Sequence, residues 1–121
     1  MGQIQTVLKK GSSILKIKLP KILKLGIYPF QLRLVHNLVF NENDKGIIRF
    51  NDLLIELDEA MNQYERAESL HHEILHQVNR QYSLKLSEED IDRIAEGLTT
   101  FISALGIEYN WDDIPSHKRE R

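Results

Sequence analysis

The sequence contains no cysteine, so disulfides are excluded and a soft metal ion must be held by histidine and carboxylate alone. Long apolar runs are missing as well: nothing approaches the ~18 uninterrupted residues of a membrane span, which excludes a membrane-embedded protein. Ile14 to Leu19 is broken by lysines and followed by no small-residue cleavage site, so no export signal is expected and the compartment read from the sequence is the cytoplasm. Acidic residues are absent from the first 40 positions, which carry Lys9, Lys10, Lys16, Lys18, Lys21, Lys24 and Arg33, although the net charge of the whole chain is only −2. Such a segment suits nucleic acid or an acidic partner, yet its lysines alternate with Leu and Ile, the pattern of a strand with one wet face. The wet strand face is the preferred reading of the two.

With 121 residues, the chain has the length of one domain. Residues 1–13, with Gly2, Gly11 and a serine pair, read as a flexible lead-in; residues 14–115 read as the domain and 116–121 as a charged tail. From Ile14 to Val35 a period-two alternation broken by Pro20, Gly26 and Pro29 predicts short strands. A turn is expected at 41–46, followed by strands over 46–51 and 53–57. The period then lengthens. Tyr64, Ala67, His71, Ile74, Leu75 and Val78 form a helical stripe, with Asn62 and Glu65 placed as a capping pair. Ser87 and Asp90 cap a second helix whose stripe is Ile91, Ile94, Ala95, Leu98, Ile102 and Leu105, ended by Gly106. The short connection at 82–86 makes the two helices antiparallel neighbours. The expected fold class is α+β: a small antiparallel β-sheet meander packed against a two-helix antiparallel hairpin.

The chemistry concentrates in His72-Glu73-Ile-Leu-His76. Histidines four apart on a helix stack on one face and reach a single ion, which makes His72 and His76 half of a tetrahedral zinc site. Glu73 lies about 100° round the helix from His72, where a carboxylate can take a proton from a water without ligating the metal; zinc lowers the pKa of such a water from ~16 toward ~7. Placed on the helical stripe, the histidines border the core and Glu73 points further toward solvent. A catalytic zinc uses three protein ligands. The third is sought in the first turns of the returning helix, among Glu88, Glu89 and Asp92; Glu88 falls closest to the inward stripe, and Asp92 is either the substitute ligand or an acceptor for a histidine N–H. An acidic first turn also suits the helix dipole without any metal. His71, on the apolar stripe, reads as a packed, hydrogen-bonded histidine. Tyr64, Tyr82, Tyr109 and His36 are the candidate donors to an oxyanion, and the strand at 53–57 is a candidate open edge for an extended peptide.

In Ala67-Glu-Ser-Leu-His-His-Glu-Ile-Leu-His76, Leu86-Ser-Glu-Glu-Asp-Ile and Ile94-Ala-Glu-Gly-Leu98, the chain resembles small phage-associated zinc-metallopeptidase-like proteins of the minigluzincin type. Leu19-Pro-Lys-Ile-Leu-Lys-Leu and the strand pair from Gly46-Ile-Ile to Ile55-Glu-Leu extend the likeness over roughly residues 17 to 105. That resemblance implies a small sheet packed on two helices, His72, His76 and Glu88 as zinc ligands, Glu73 as general base, and a peptide or protein substrate. The expected function is therefore zinc-dependent peptide hydrolysis. Its alternative is a catalytically inactive zinc-binding module that contacts a protein or nucleic acid through its basic N-terminal half.

Overall fold

The computed structural model describes residues 4–9, 12–38 and 45–117, with the side chains of 14–38 and 45–116. The elements are β1 (Ile4–Lys9), β2 (Ser12–Lys18), β3 (Ile22–Leu25), β4 (Tyr28–Val35), β5 (Gly46–Arg49), β6 (Leu54–Asp58), α1 (Gln63–Gln81), α2 (Glu88–Ala104), β7 (Ile107–Asn110) and β8 (Ser116–His117). The fold is α+β, two helices against small sheets, and no helix among the described residues is long and apolar enough to cross a membrane.

Two hairpins, β3–β4 and β5–β6, are antiparallel, as a meander requires. They join through β4 and β6, however, and those strands run parallel with Leu32 opposite Ile55 and Leu34 opposite Leu57. The order is β3-β4-β6-β5, so the sheet is mixed and β5, not β6, is the edge. β5 itself is the return stroke that brings β6 back parallel to β4, a connection that local turn signals do not encode. A second sheet, β1-β2-β7, pairs β1 antiparallel and β7 parallel with β2.

The backbone from Ile4 to Lys9 is a strand paired with β2, where the sequence reading expected a flexible lead-in; Ile4, Thr6 and Val7 are β-branched residues that favour extended backbone. Residues 1–3, 10 and 11 of that lead-in lie outside the described residues, as do 41–44 of the expected turn and 118–121 of the tail. Ser116 and His117, read as tail, pair with Leu34 and Val35. Lys16 and Lys18 alternate with the half-buried Leu15 and Ile17 and pair with Glu108 at 3.8 Å and Asp113 at 3.4 Å. This is the wet strand face, with acids supplied from later in the chain.

One face of the large sheet presents Phe30, Leu32, Leu34, Ile55 and Leu57, and Leu70 of α1 closes on it with Trp111 and Ile114. Each fully buried Leu, Ile or Phe contributes roughly 1.5–3 kcal/mol, which fixes the rotation of α1 on the sheet. That rotation differs from the apolar stripe: the buried residues of α1 are Leu70, His71, Glu73 and Gln77, while Tyr64 is exposed. Three of these four are polar, which hides the inward face from a hydrophobicity pattern. α2 likewise buries Ile91, Ala95 and Thr99, leaving Ile94, Leu98 and Leu105 of the expected stripe exposed. Both predicted capping boxes are present, Asn62 with Glu65 and Ser87 with Asp90.

Candidate metal centre

Placement of the site begins at the inter-helix connection. Asn79 clamps it from both sides, its Nδ2 donating to Leu86 O at 3.3 Å and its Oδ1 accepting from Leu86 N at 3.1 Å. Ser87 then caps α2, so the first helical residue, Glu88, is delivered opposite His76, one turn before α1 ends.

Three side chains converge there. Glu88 Oε1 lies 2.8 Å from His72 Nε2, Glu88 Oε2 lies 3.1 Å from His76 Nε2, and the two Nε2 atoms are 3.1 Å apart. All three donor groups fall within 4.8 Å of one another. Zinc bonds of ~2.0–2.1 Å at tetrahedral angles put ligand atoms about 3.3 Å apart, so a shift of a few tenths of an ångström fits the ion. The protonation pattern points the same way. His72 Nδ1 is 2.9 Å from Asp92 Oδ1, and a carboxylate is an acceptor, so Nδ1–H donates to Asp92 and Nε2 is the ring atom turned to Glu88 and His76.

The other acids of the turn are engaged elsewhere. Glu89 pairs with Arg93 on the outer side of the helix, and Asp90 closes the cap, where hydrogen bonds from the Ser87 backbone and side chain hold its carboxyl below the ordinary value. Of the three candidates for third ligand, Glu88 meets both histidines and Asp92 orients His72.

Glu73 is buried, only 7% exposed, where the helical stripe had pointed it further toward solvent. The sheet side of α1 is rotated toward it, and Gly46 makes the space: a Cβ on Gly46 would stand 3.2 Å from Glu73 Oε2 and 2.8 Å from Leu57 Cδ2. Both residues line a cleft of about 460 Å³ with His72, Glu88 and Asp92. Gly46 carries a packing role that a glycine at a strand start does not announce. Glu68 and Glu96 also line this cleft and were not among the sequence candidates; their positions four before His72 and four after Asp92 were the available signal.

The expected oxyanion donors are not brought to the cleft. Tyr64 hydroxyl bonds Thr100, His36 bonds Glu59, Tyr82 is exposed beyond the last turn of α1, and Tyr109 serves His71. His71 is a satisfied core residue. Thr99 Oγ1 donates to Ala95 O at 2.6 Å and so accepts from His71 Nδ1 at 2.7 Å, which leaves His71 Nε2 to accept from the Tyr109 hydroxyl at 2.6 Å. Burial pushes the His71 pKa down and that of Tyr109 up, keeping both neutral.

Comparison with known proteins adds no assignment: the chain matches no protein-family model, no curated protein and no solved structure.

Proposed function

We propose that this chain is a zinc-dependent peptide hydrolase in which Glu73 is the general base. The observation that carries the reading is the convergence of His72, His76 and Glu88, two of which, His72 and Glu88, line one cleft with the buried carboxylate of Glu73. The minigluzincin-like pattern of residues 67–98 supports the same reading.

His72 and His76 offer Nε2 and Glu88 offers a carboxylate oxygen, while Asp92 holds the His72 ring by its Nδ1–H. Zinc bound by this set supplies Lewis acidity to a carbonyl and acidity to a water. Glu73 accepts the proton of the attacking water and returns it to the departing amine, which its burial favours by keeping bulk water from competing for that proton. The edge strand β5 starts in the cleft at Gly46, so its outer backbone edge, unpaired among the described residues, is the place for an extended peptide, in preference to the interior strand β6.

The experiment is turnover of a peptide mixture by zinc-loaded protein, followed by mass spectrometry, beside Glu73→Gln. The variant retains its zinc and loses ~10²–10⁴-fold in rate, the range of a general acid–base group. Equal rates in the two proteins remove Glu73 from the mechanism, and no cleavage by wild type removes the hydrolase reading.

A further inference from the structure

A second cavity, of about 230 Å³, lies at the C-terminal end of α1 between that helix and the sheet, and it shares no lining residue with the metal cleft. Phe30 of β4 and Phe50 and Leu53 of the turn between β5 and β6 give it apolar walls, with the exposed Tyr28 at its rim. Its polar side is Gln77, Arg80 and Gln81. The space is smaller than the ~300–1,000 Å³ of a pocket for a drug-sized ligand, so it takes one ring or one branched side chain. Leu53 holds a φ of 50°, which an L side chain rarely adopts, and keeps its side chain in the wall. Backbone strain of this kind concentrates at ligand clamps.

Arg80 is the unusual member. Its Cζ stands 4.5 Å from the centroid of the Phe50 ring, so the guanidinium is held by the face of an aromatic side chain. Among the described residues that side chain meets no carboxylate and no carbonyl, which leaves its N–H donors open. The other described arginines each reach an acceptor: Arg33 and Arg49 share the Glu56 carboxylate, Arg66 takes the Glu59 and Met61 carbonyls, and Arg93 pairs with Glu89. Beside Arg80, Gln77 is only 4% exposed and its Nε2–H donates to Gln81 Oε1 at 3.2 Å. Gln77 Oε1 and the N–H groups of the Gln81 amide have no partner among the described residues. Open polar groups on a nearly buried amide are costly until a ligand or water meets them. Gly26 admits that Gln81 amide, since a Cβ there would collide with Gln81 Nε2.

We infer that this cavity binds an apolar group that ends in a carboxylate, its ring or branched chain against Phe30, Phe50 and Leu53 and its carboxylate on the Arg80 fork. The donors select the anion. A planar guanidinium presents paired N–H groups that match the two oxygens of a carboxylate, and the Gln81 amide adds a further donor. The charge of the site selects a monoanion: Arg80 brings one full positive charge against the roughly half-unit negative charge of the α1 C-terminus, which leaves too little for a phosphate or a nucleic-acid backbone. Two sources present the required group, a free aromatic or branched acid and the last residue of a peptide. The site uses no metal and stands whether or not the cleft hydrolyses peptides.

The test is an NMR titration of the full chain with N-acetylphenylalanine, its C-terminal carboxamide, N-acetylalanine, a peptide ending in phenylalanine, and adenosine monophosphate. N-acetylphenylalanine is expected to shift the side-chain N–H signals of Gln77, Gln81 and Arg80. It binds about tenfold more tightly than its carboxamide, the difference between a charged and a neutral hydrogen-bond partner. N-acetylalanine binds at least about tenfold more weakly than N-acetylphenylalanine, because it has no ring to bury. In Arg80→Gln, a change at an exposed position, acid and carboxamide bind alike and the affinity for the carboxamide is kept. Binding of the peptide as tight as that of the free acid supports the site with a peptide end as its ligand, and binding of the free acid alone supports it with a small acid. Equal affinity of acid and carboxamide, a preference for the acid that survives in Arg80→Gln, tighter binding of adenosine monophosphate, or no shift at Gln77 and Gln81 overturns the inference. A carboxylate captured in the metal cleft instead shifts the His72 signals and survives in Arg80→Gln, which also counts against the cavity.

Discussion

His71 and His72 are neighbours in sequence and opposites in chemistry. His71 turns between the helices, where a threonine and a tyrosine hydroxyl consume both ring nitrogens and burial keeps the ring neutral. About 100° further round the helix, His72 turns into the cleft, where its partners are the carboxylates of Glu88 and Asp92 and the second imidazole of His76. One seam between α1 and α2 is a closed hydrogen-bond chain, complete without any ligand. The other gathers two imidazoles and two carboxylates, a set that could hold a cation. Burial alone does not separate the two histidines here; the charge of the partners does.

The contrast breaks most visibly at Glu88. Glu88→Ala removes one of the three proposed ligands and is expected to weaken zinc binding more than the ~100-fold upper end seen for outer partners of a metal site, measured by chelator competition. Affinity equal to wild type moves the cation out of this seam. On the closed seam the effect is on stability instead. His71→Ala leaves the Tyr109 and Thr99 hydroxyls without their buried partner and opens a cavity, destabilising the fold by about 3 kcal/mol in urea titration. His72→Ala in metal-free protein changes stability by less than ~1 kcal/mol, since its partners Glu88 and Asp92 are 62% and 61% exposed at the side chain. Equal losses in the two variants contradict the division. Asp92→Asn tests the outer layer: it weakens zinc binding ~10–100-fold without moving the unfolding midpoint, because it acts only on the His72 ring.

The smallest effect lies away from both seams, at Glu59. Hydrogen bonds from Ser116 and His36 hold its carboxyl below the ordinary value of 4.5, so its contribution is fully present above pH 4.5 and is lost as pH falls through the lowered value. The side chain is about one-third exposed, so solvent screening keeps the contribution small. Glu59→Gln flattens the acid limb of the stability profile of the β8 end of the sheet; an acid limb identical to wild type removes that role.

The α+β class, both helices and both capping boxes were legible because they are written in residues close in sequence: Asn62 with Glu65, Ser87 with Asp90, and a short connection that forces the helices together. The gathering of His72, His76 and Glu88 was legible for the same reason, since a helical repeat of four and one clamped turn suffice to bring them together. The mixed sheet was not. Pairing β4 with β6 is a long-range choice, and the turn residues say only where strands stop. The burial of Glu73 was misread because the inward face of α1 carries Glu73 and Gln77, so the apolar stripe points away from the true contact with the sheet. Gly46, whose missing side chain admits Glu73, has meaning only once β5 lies on α1. The open edge was sought at 53–57 and lies at β5 for the reason that displaced the meander.

The central claim is that the cleft seam is a metal site, and metal content tests it most directly. Elemental analysis of tag-free protein is predicted to give close to one zinc per chain in wild type and in Glu73→Gln, and essentially none in His72→Ala. No bound zinc in wild type after reconstitution with excess metal, or the same content in His72→Ala, would contradict it.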